Sequence, residues 1–197
     1  DERHFGLAFD LDGALFGFPY LGVETFVGDL AEFDVLGARL FTRPLAWLGV
    51  PIIKDLQIGA TYATDLKPGL YEDPVDLSKD PVAVYGIDAR LPILSSKILS
   101  LAVYSDVATI EGLSYGGMVG AGGRLLSFLT YGAQLRVLGP NFIPVYFDAT
   151  YDLFRSAKSD LVRTGTDTET TIGWFASLGT SFLNDMIVFN VALDGPF

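Results

Sequence analysis

The sequence predicts an all-β chain, an antiparallel up-and-down transmembrane β-barrel, on three observations. Apolar and polar residues alternate with period two over runs of about ten residues, the periodicity of a strand with two unlike faces. The polar face is built from Gly, Ser and Ala with isolated charges, where an open water-facing sheet would carry Lys, Glu and Thr. Half of the 197 residues are hydrophobic and the mean hydropathy is +0.38, yet the longest nearly apolar run, Leu45–Ile53, is far shorter than the roughly 20 residues of a membrane helix. Apolar bands facing lipid and small polar residues lining a lumen reconcile the three.

The first strand, His4–Asp12, sets Phe5, Leu7, Phe9 and Leu11 against Gly6, Ala8, Asp10 and Asp12. Residues 13–32 are rich in glycine and aromatics without a sustained period and read as a long connection, with at most a short strand at Val23–Val27. Phe33–Arg43 turns Leu36, Ala38 and Leu40 outward and Gly37 and Arg39 inward. After an apolar turn with Trp47 and Pro51, Asp55–Asp65 returns with Ile58, Ala60 and Tyr62 opposite Gln57, Gly59 and Thr61. Residues 66–81 hold three prolines and several acids, so this loop is expected in water.

The clearest alternation comes next. Val82–Leu91 places Ala83, Tyr85, Ile87, Ala89 and Leu91 against Gly86, Asp88 and Arg90, and Lys97–Val107 answers with Leu99, Leu101, Val103 and Val107 against Ser100, Ala102, Tyr104 and Asp106. Gly116–Leu126 and Leu129–Val137 repeat the pattern, with Gly120, Gly122 and Arg124, then Thr130, Gly132, Gln134 and Arg136, inward. The turns are Pro92–Ser96 and Leu126–Phe128. Residues 138–170 form the longest interruption. Within them Pro144–Ala157 spaces Tyr146, Phe147, Thr150, Tyr151 and Phe154 by three and four, with Pro144 suited to a first helical turn, which favours a helix over a strand. Thr171–Ser181 and Met186–Asp194 close the list as a hairpin.

A single domain, residues 1–197, follows from uniform composition, with long loops at 13–32, 66–81 and 138–170. The last two belong on one side of the membrane and the short turns on the other. Nine strands is an odd count, whereas bacterial single-chain barrels have even counts, so the chain is expected to be part of a larger barrel with a strand following Phe197. A strand at 144–157 would make ten.

The 22 glycines suit a crowded inner face and the 9 tyrosines a membrane boundary. With no cysteine, disulfides, thiolate metal sites and cysteine nucleophiles are excluded. The net charge of −11 speaks against nucleic acid as a partner. The one histidine, His4, stands near the start, so a histidine-based hydrolase site elsewhere is excluded. Neither the acids Glu72, Asp73, Asp76 and Asp80 nor the glycines Gly116 to Gly123 have the spacing of a calcium loop or a nucleotide fingerprint. No enzyme activity, cofactor or metal is expected.

The hairpin pattern, the turn from Arg43-Pro44 through Pro51-Ile52-Ile53-Lys54, and Gly139-Pro140-Asn141-Phe142-Ile143-Pro144-Val145-Tyr146-Phe147-Asp148 together resemble spirochaete-type outer-membrane β-barrel proteins. The resemblance covers the chain from Phe33 onward. It implies a barrel in the outer membrane of a diderm bacterium, with outer-membrane lipid and other envelope proteins as partners, and it carries over no activity and no functional residue.

A porin-like channel for small solutes is the expected function, with Arg39, Asp88, Arg90, Asp106, Arg124, Gln134 and Arg136 lining the lumen and setting selectivity. Arg39, Arg90 and Arg124 each precede a leucine near a strand end. They are expected either to pair with lumen acids such as Asp88 and Asp106 or to form an anion-selective ring. Two alternatives stand beside the channel. One is a non-conducting barrel that anchors an envelope complex or displays its loops. The other is a soluble β-barrel binding a hydrophobic ligand, which needs the Leu/Val face to be its interior.

Overall fold

The computed structural model describes residues 6–15, 18–72, 74–126, 128–148, 150–165, 168–182 and 187–197. It is one ten-stranded antiparallel sheet in which each strand pairs with the next along the chain. The strands are β1 (Leu7–Leu15), β2 (Phe18–Val27), β3 (Val35–Thr42), β4 (Gln57–Asp65), β5 (Val82–Ser95), β6 (Leu99–Ile110), β7 (Ser114–Leu125), β8 (Leu129–Leu138), β9 (Thr171–Phe182) and β10 (Ile187–Pro196). An α-helix, α1 (Tyr151–Thr164), separates β8 from β9. Among the described residues neither β1 nor β10 pairs with a second strand, so the sheet is open.

The register places the faces as the alternation predicts. Arg39 pairs with Glu24, Asp88 with Asp106 and Arg124 with Thr130, all on one face. The other face carries an uncovered apolar surface that includes Leu7, Leu40, Ile58, Ile87, Val107, Val119, Leu135, Ile172, Leu178 and Val191. This band crosses nine strand spacings of about 4.8 Å, roughly 43 Å of sheet.

Within 13–32, expected to be a connection with at most a short strand at Val23–Val27, residues 18–27 are strand β2. The alternation was present in Leu21, Val23, Thr25 and Val27, but Phe26 sits on the opposite face with Gly22 and Glu24 and hides it. Its seat explains the exception. Phe26 pairs with Gly37 and Phe41 with Gly22, and each ring occupies the space that a side chain on its glycine partner would need. The strand count is therefore ten, and the odd-number argument for a strand following Phe197 lapses.

Three boundaries also differ from expectation. The turn expected at Pro92–Ser96 is shorter, because β5 runs on to Ser95 through an irregularity between Pro92 and Leu94 that absorbs the proline. A tight turn joins β6 to β7, with Glu111 at φ 58° and Gly112 at φ 73° and a Leu113 N–H to Ile110 C=O bond of 3.0 Å, the type I′ geometry that matches strand twist. The helix expected at Pro144–Ala157 begins seven residues later. Asn141 and Val145 adopt φ of 57° and 52°, a left-handed conformation incompatible with a helix there, so 139–148 form an irregular strap.

The described parts of 66–81 and 139–170 lie at the same end of the sheet, with 28–34 and 111–113. The connections 43–56, 96–98 and 126–128 lie at the other end. At the first end α1 and the strap pack on the small-residue face around Val35, Val82, Ile110, Tyr146, Tyr151 and Val162. Each fully buried aliphatic side chain there is worth about 1.5–3 kcal/mol.

Because the Phe26 and Phe41 rings fill the glycine positions, Gly37→Val and Gly22→Val should each displace a ring and loosen the β2–β3 pairing. Denaturant unfolding should show a loss of about 1–3 kcal/mol, against less than 1 kcal/mol for a control Ala38→Val on the open face.

Candidate functional site

The small-residue face collects charge where glycines leave room. Arg39 reaches across β4 at Gly59, bonding Asp88 through Nε at 3.0 Å and Nη2 at 2.6 Å. Its Nη1 lies 3.2 Å from both carboxylate oxygens of Glu24. A side chain on Gly59 would meet Asp88 and the Arg39 guanidinium. On the other side of the sheet, Arg136 donates to Gln134 Oε1 at 2.9 and 2.8 Å and stacks on Phe175 with 4.2 Å to the ring centroid. Gln134 Nε2 donates in turn to Tyr104 Oη at 3.0 Å.

The predicted lumen residues thus fall into three environments. Arg39 and Asp88 are ion-paired, while Gln134 and Arg136 form a chain with no carboxylate. Asp106, Arg90 and Arg124 have no side-chain hydrogen bond or ion pair among the described residues, and both arginines are exposed. Arg39, Arg90 and Arg124 do not share one register row. Arg39 aligns through Thr61 with Gly86, four residues before Arg90, whose partner Tyr104 lies four residues beyond Ser100, the partner of Arg124.

A second cluster, which the sequence reading missed, holds α1 across one end of this face. Arg155 is fully buried, with side-chain exposure of 1% against 3% for Asp34 and 0% for Asp65. Its Nε and Nη2 clasp Asp65 at 3.0 and 2.7 Å, and its Nη1 bonds Asp34 at 2.7 Å. Tyr151 Oη donates to Asp65 at 2.6 Å. The remaining carboxylate positions accept the backbone N–H of Val35 and Lys67, each at 2.8 Å. Burial pulls the Arg155 guanidinium down, but hydrogen bonds with Asp65 and Asp34 outweigh it and hold the group above its ordinary range. The signal was an arginine four residues after a tyrosine, placing both on one helix face. Its partners, 121 and 90 residues away, were not deducible from spacing.

Around this core run weaker ties. Lys79 Nζ contacts Glu72 and Asp160, both at 2.9 Å, and Ser156 Oγ at 2.6 Å. Ser156 also bonds Glu72. These contacts lower the Glu72 carboxyl and raise the Lys79 amine. Lys158 bonds Asp148 and the Tyr146 carbonyl, and the Lys158 bond leads the causes that lower Asp148.

Between the strap and the sheet lies a cavity of about 410 Å³, its walls including Ile110, Met118, Leu138, Phe142 and Ile143 and its polar groups including Asp106, Gln134 and Arg136. The Phe142 ring occupies the space beside Gly116. No family model, characterised protein or solved structure matches the chain. Among the described residues no group of three or more His, Asp or Glu could hold a metal ion, and no helix is long and apolar enough to cross a membrane.

Removing Arg155 leaves two buried carboxylates facing each other, an arrangement that costs about 3–5 kcal/mol. Arg155→Ala should therefore free α1, seen as accelerated amide exchange across 151–164 with the β5–β8 amides still protected. Asp34→Asn combined with Arg155→Met should recover part of that protection.

Tyr146 and Tyr151 are pushed well above their usual value of 10.0, chiefly by burial. The folded state keeps these phenol protons where the unfolded chain releases them. Their stabilisation is complete below about pH 10 and is lost as pH rises further. At about pH 11 phenolate absorbance of the folded protein should fall short of the denatured chain's, and Tyr151→Phe should shrink the deficit. Equal absorbance would contradict this burial.

Proposed function

We propose that this sheet is the wall of an outer-membrane β-barrel acting as a porin-like channel for small solutes. The observation that carries the reading is the contrast between its faces. Leu, Val, Ile and Phe stand uncovered on one face of every strand but β2, while the other pairs Arg39 with Glu24 and Asp88 and is covered at one end by α1 and the strap. A soluble protein rarely leaves so broad an apolar surface bare. Lipid satisfies that surface, and a barrel interior satisfies the charged one. The short-turn end adds support, because the 43–56 connection exposes Trp47 at 78% together with Leu48, Val50, Ile52 and Ile53, side chains suited to the membrane interface.

The membrane reading requires that the free edges of β1 and β10 find partners, since unpaired backbone groups in hydrocarbon cost several kcal/mol each. The resemblance to spirochaete-type barrels fits a diderm outer membrane, with lipid and envelope proteins as partners and no role for nucleic acid. The soluble alternative needs the Leu/Val face inside, but every described covering element lies on the opposite face.

Of the predicted selectivity residues, Arg39 is neutralised by its acids, which leaves Arg90, Arg124 and Arg136 uncompensated, the first two towards the short-turn end. The second reading, a non-conducting anchor, is favoured by the buried attachment of α1 over the other end. Planar-bilayer recording separates the two. Stepwise current is expected, and Arg90→Glu with Arg124→Glu should shift its selectivity towards cations. Absence of current from inserted protein would favour the anchor, and unchanged selectivity would remove these arginines from the pathway.

A further inference from the structure

We infer that the cavity beneath the strap is a binding site for a small zwitterion with an apolar body, an apolar amino acid or dipeptide. The inference rests on reading the small-residue face as the lumen, and it makes the channel selective where a simple pore would be indifferent.

Opposite charges stand here without partners of opposite sign. Asp106 pairs in register with Met118, and Met118 with Arg136. The two charged residues therefore flank one residue at a separation of two strand spacings, about 9.6 Å between backbones. The Asp106 carboxylate has no hydrogen bond or ion pair among the described residues. Arg136 is held by a neutral amide and an aromatic ring, which fix its direction and leave its charge unneutralised. Two groups of opposite charge that could have met each other are instead held apart, with a cavity of about 410 Å³ over them.

The rest of the lining is apolar. Val84, Ala108, Ile110, Leu138, Phe142 and Ile143 surround the polar floor, the composition of a small-molecule site in which a few polar groups fix orientation. Tyr146 closes the same cavity at 4% exposure, its ring packed against Tyr151 of α1 with 5.5 Å between centroids. A ligand ammonium facing Asp106 and a carboxylate facing Arg136 fit the charges, and aliphatic side chains fit the walls.

Equilibrium dialysis of the full chain in detergent micelles, with leucyl-leucine as probe, tests this directly. Saturable binding is expected, weakened about tenfold or more by blocking either end, as N-acetyl-leucyl-leucine or leucyl-leucine amide, the effect of losing one charge-assisted contact. Equal binding of the doubly blocked peptide would reduce the site to a greasy cleft, and no binding at all would overturn it. Asp106→Asn should erase the preference for a free amine alone, and Arg136→Gln the preference for a free carboxylate alone. Variants that keep both preferences would place the site elsewhere, and the wild-type comparison decides the matter even if a variant misfolds. Bilayer current without dipeptide binding would sink this inference and leave the channel standing, whereas binding without current would do the reverse.

Discussion

Arg155 is the residue on which the organisation of this molecule turns. A guanidinium with 1% side-chain exposure is tolerable only when its donors are used, and here three donor nitrogens meet the carboxylates of Asp34 and Asp65. Those acids mark the start of β3 and the end of β4, so the interaction sews one helix to two strands at a single point. Two acids to one base leaves a net negative site, relieved by the Tyr151 hydroxyl and two backbone N–H groups. A buried pair of this kind is weak evidence for net stability, because desolvation consumes most of the attraction. Its effect is positional, since few other placements of α1 could satisfy all the groups at once.

The position of α1 then fixes what lies on either side. The chain leaving β8 must reach the helix start, and it does so as the 139–148 strap, whose Phe142 settles beside Gly116 and whose Tyr146 packs edge-on to Phe147. The cavity exists because this strap bridges over the sheet without filling it. Lys79 and Lys158, with Arg163 through Glu111 at 3.1 Å, repeat the attachment at lower strength from partly exposed positions, where ion pairs are worth about 0–1 kcal/mol each. One strong buried tie with several weak surface ties is an arrangement in which the helix end can loosen while the sheet, held by its ladders, does not.

Glycine has a comparable role on the inner face. At Gly22 and Gly37 it seats a phenylalanine from the neighbouring strand, and at Gly59 it lets Arg39 pass to Asp88. Outward-facing Gly123 does the same for Tyr131, whose hydroxyl crosses to the Ser100 carbonyl at 2.9 Å. These positions therefore specify which large side chain lies where, a form of register control added to the alternation itself.

The same fact explains what could and could not be read from the sequence. Nine of the ten strands were legible to within a few residues of their observed bounds, because an apolar side chain every second residue is a local property. Strand β2 was not, since Phe26 is an inward aromatic whose justification, Gly37, stands eleven residues on and across a turn. The helix was legible as helix, and its start was misplaced because nothing local warns that Val145 takes a left-handed conformation. The Arg39–Asp88 pair was within reach once both residues were assigned inward. The Arg155 cluster was not, because Asp34 and Asp65 look like ordinary strand-end acids until a helix from beyond β8 is laid across them. Charges that alternation places inward were therefore the readable part of the candidate site. The charges that matter most to its shape lie at strand ends, where period two falls silent and only the assembled sheet says which acid faces which base.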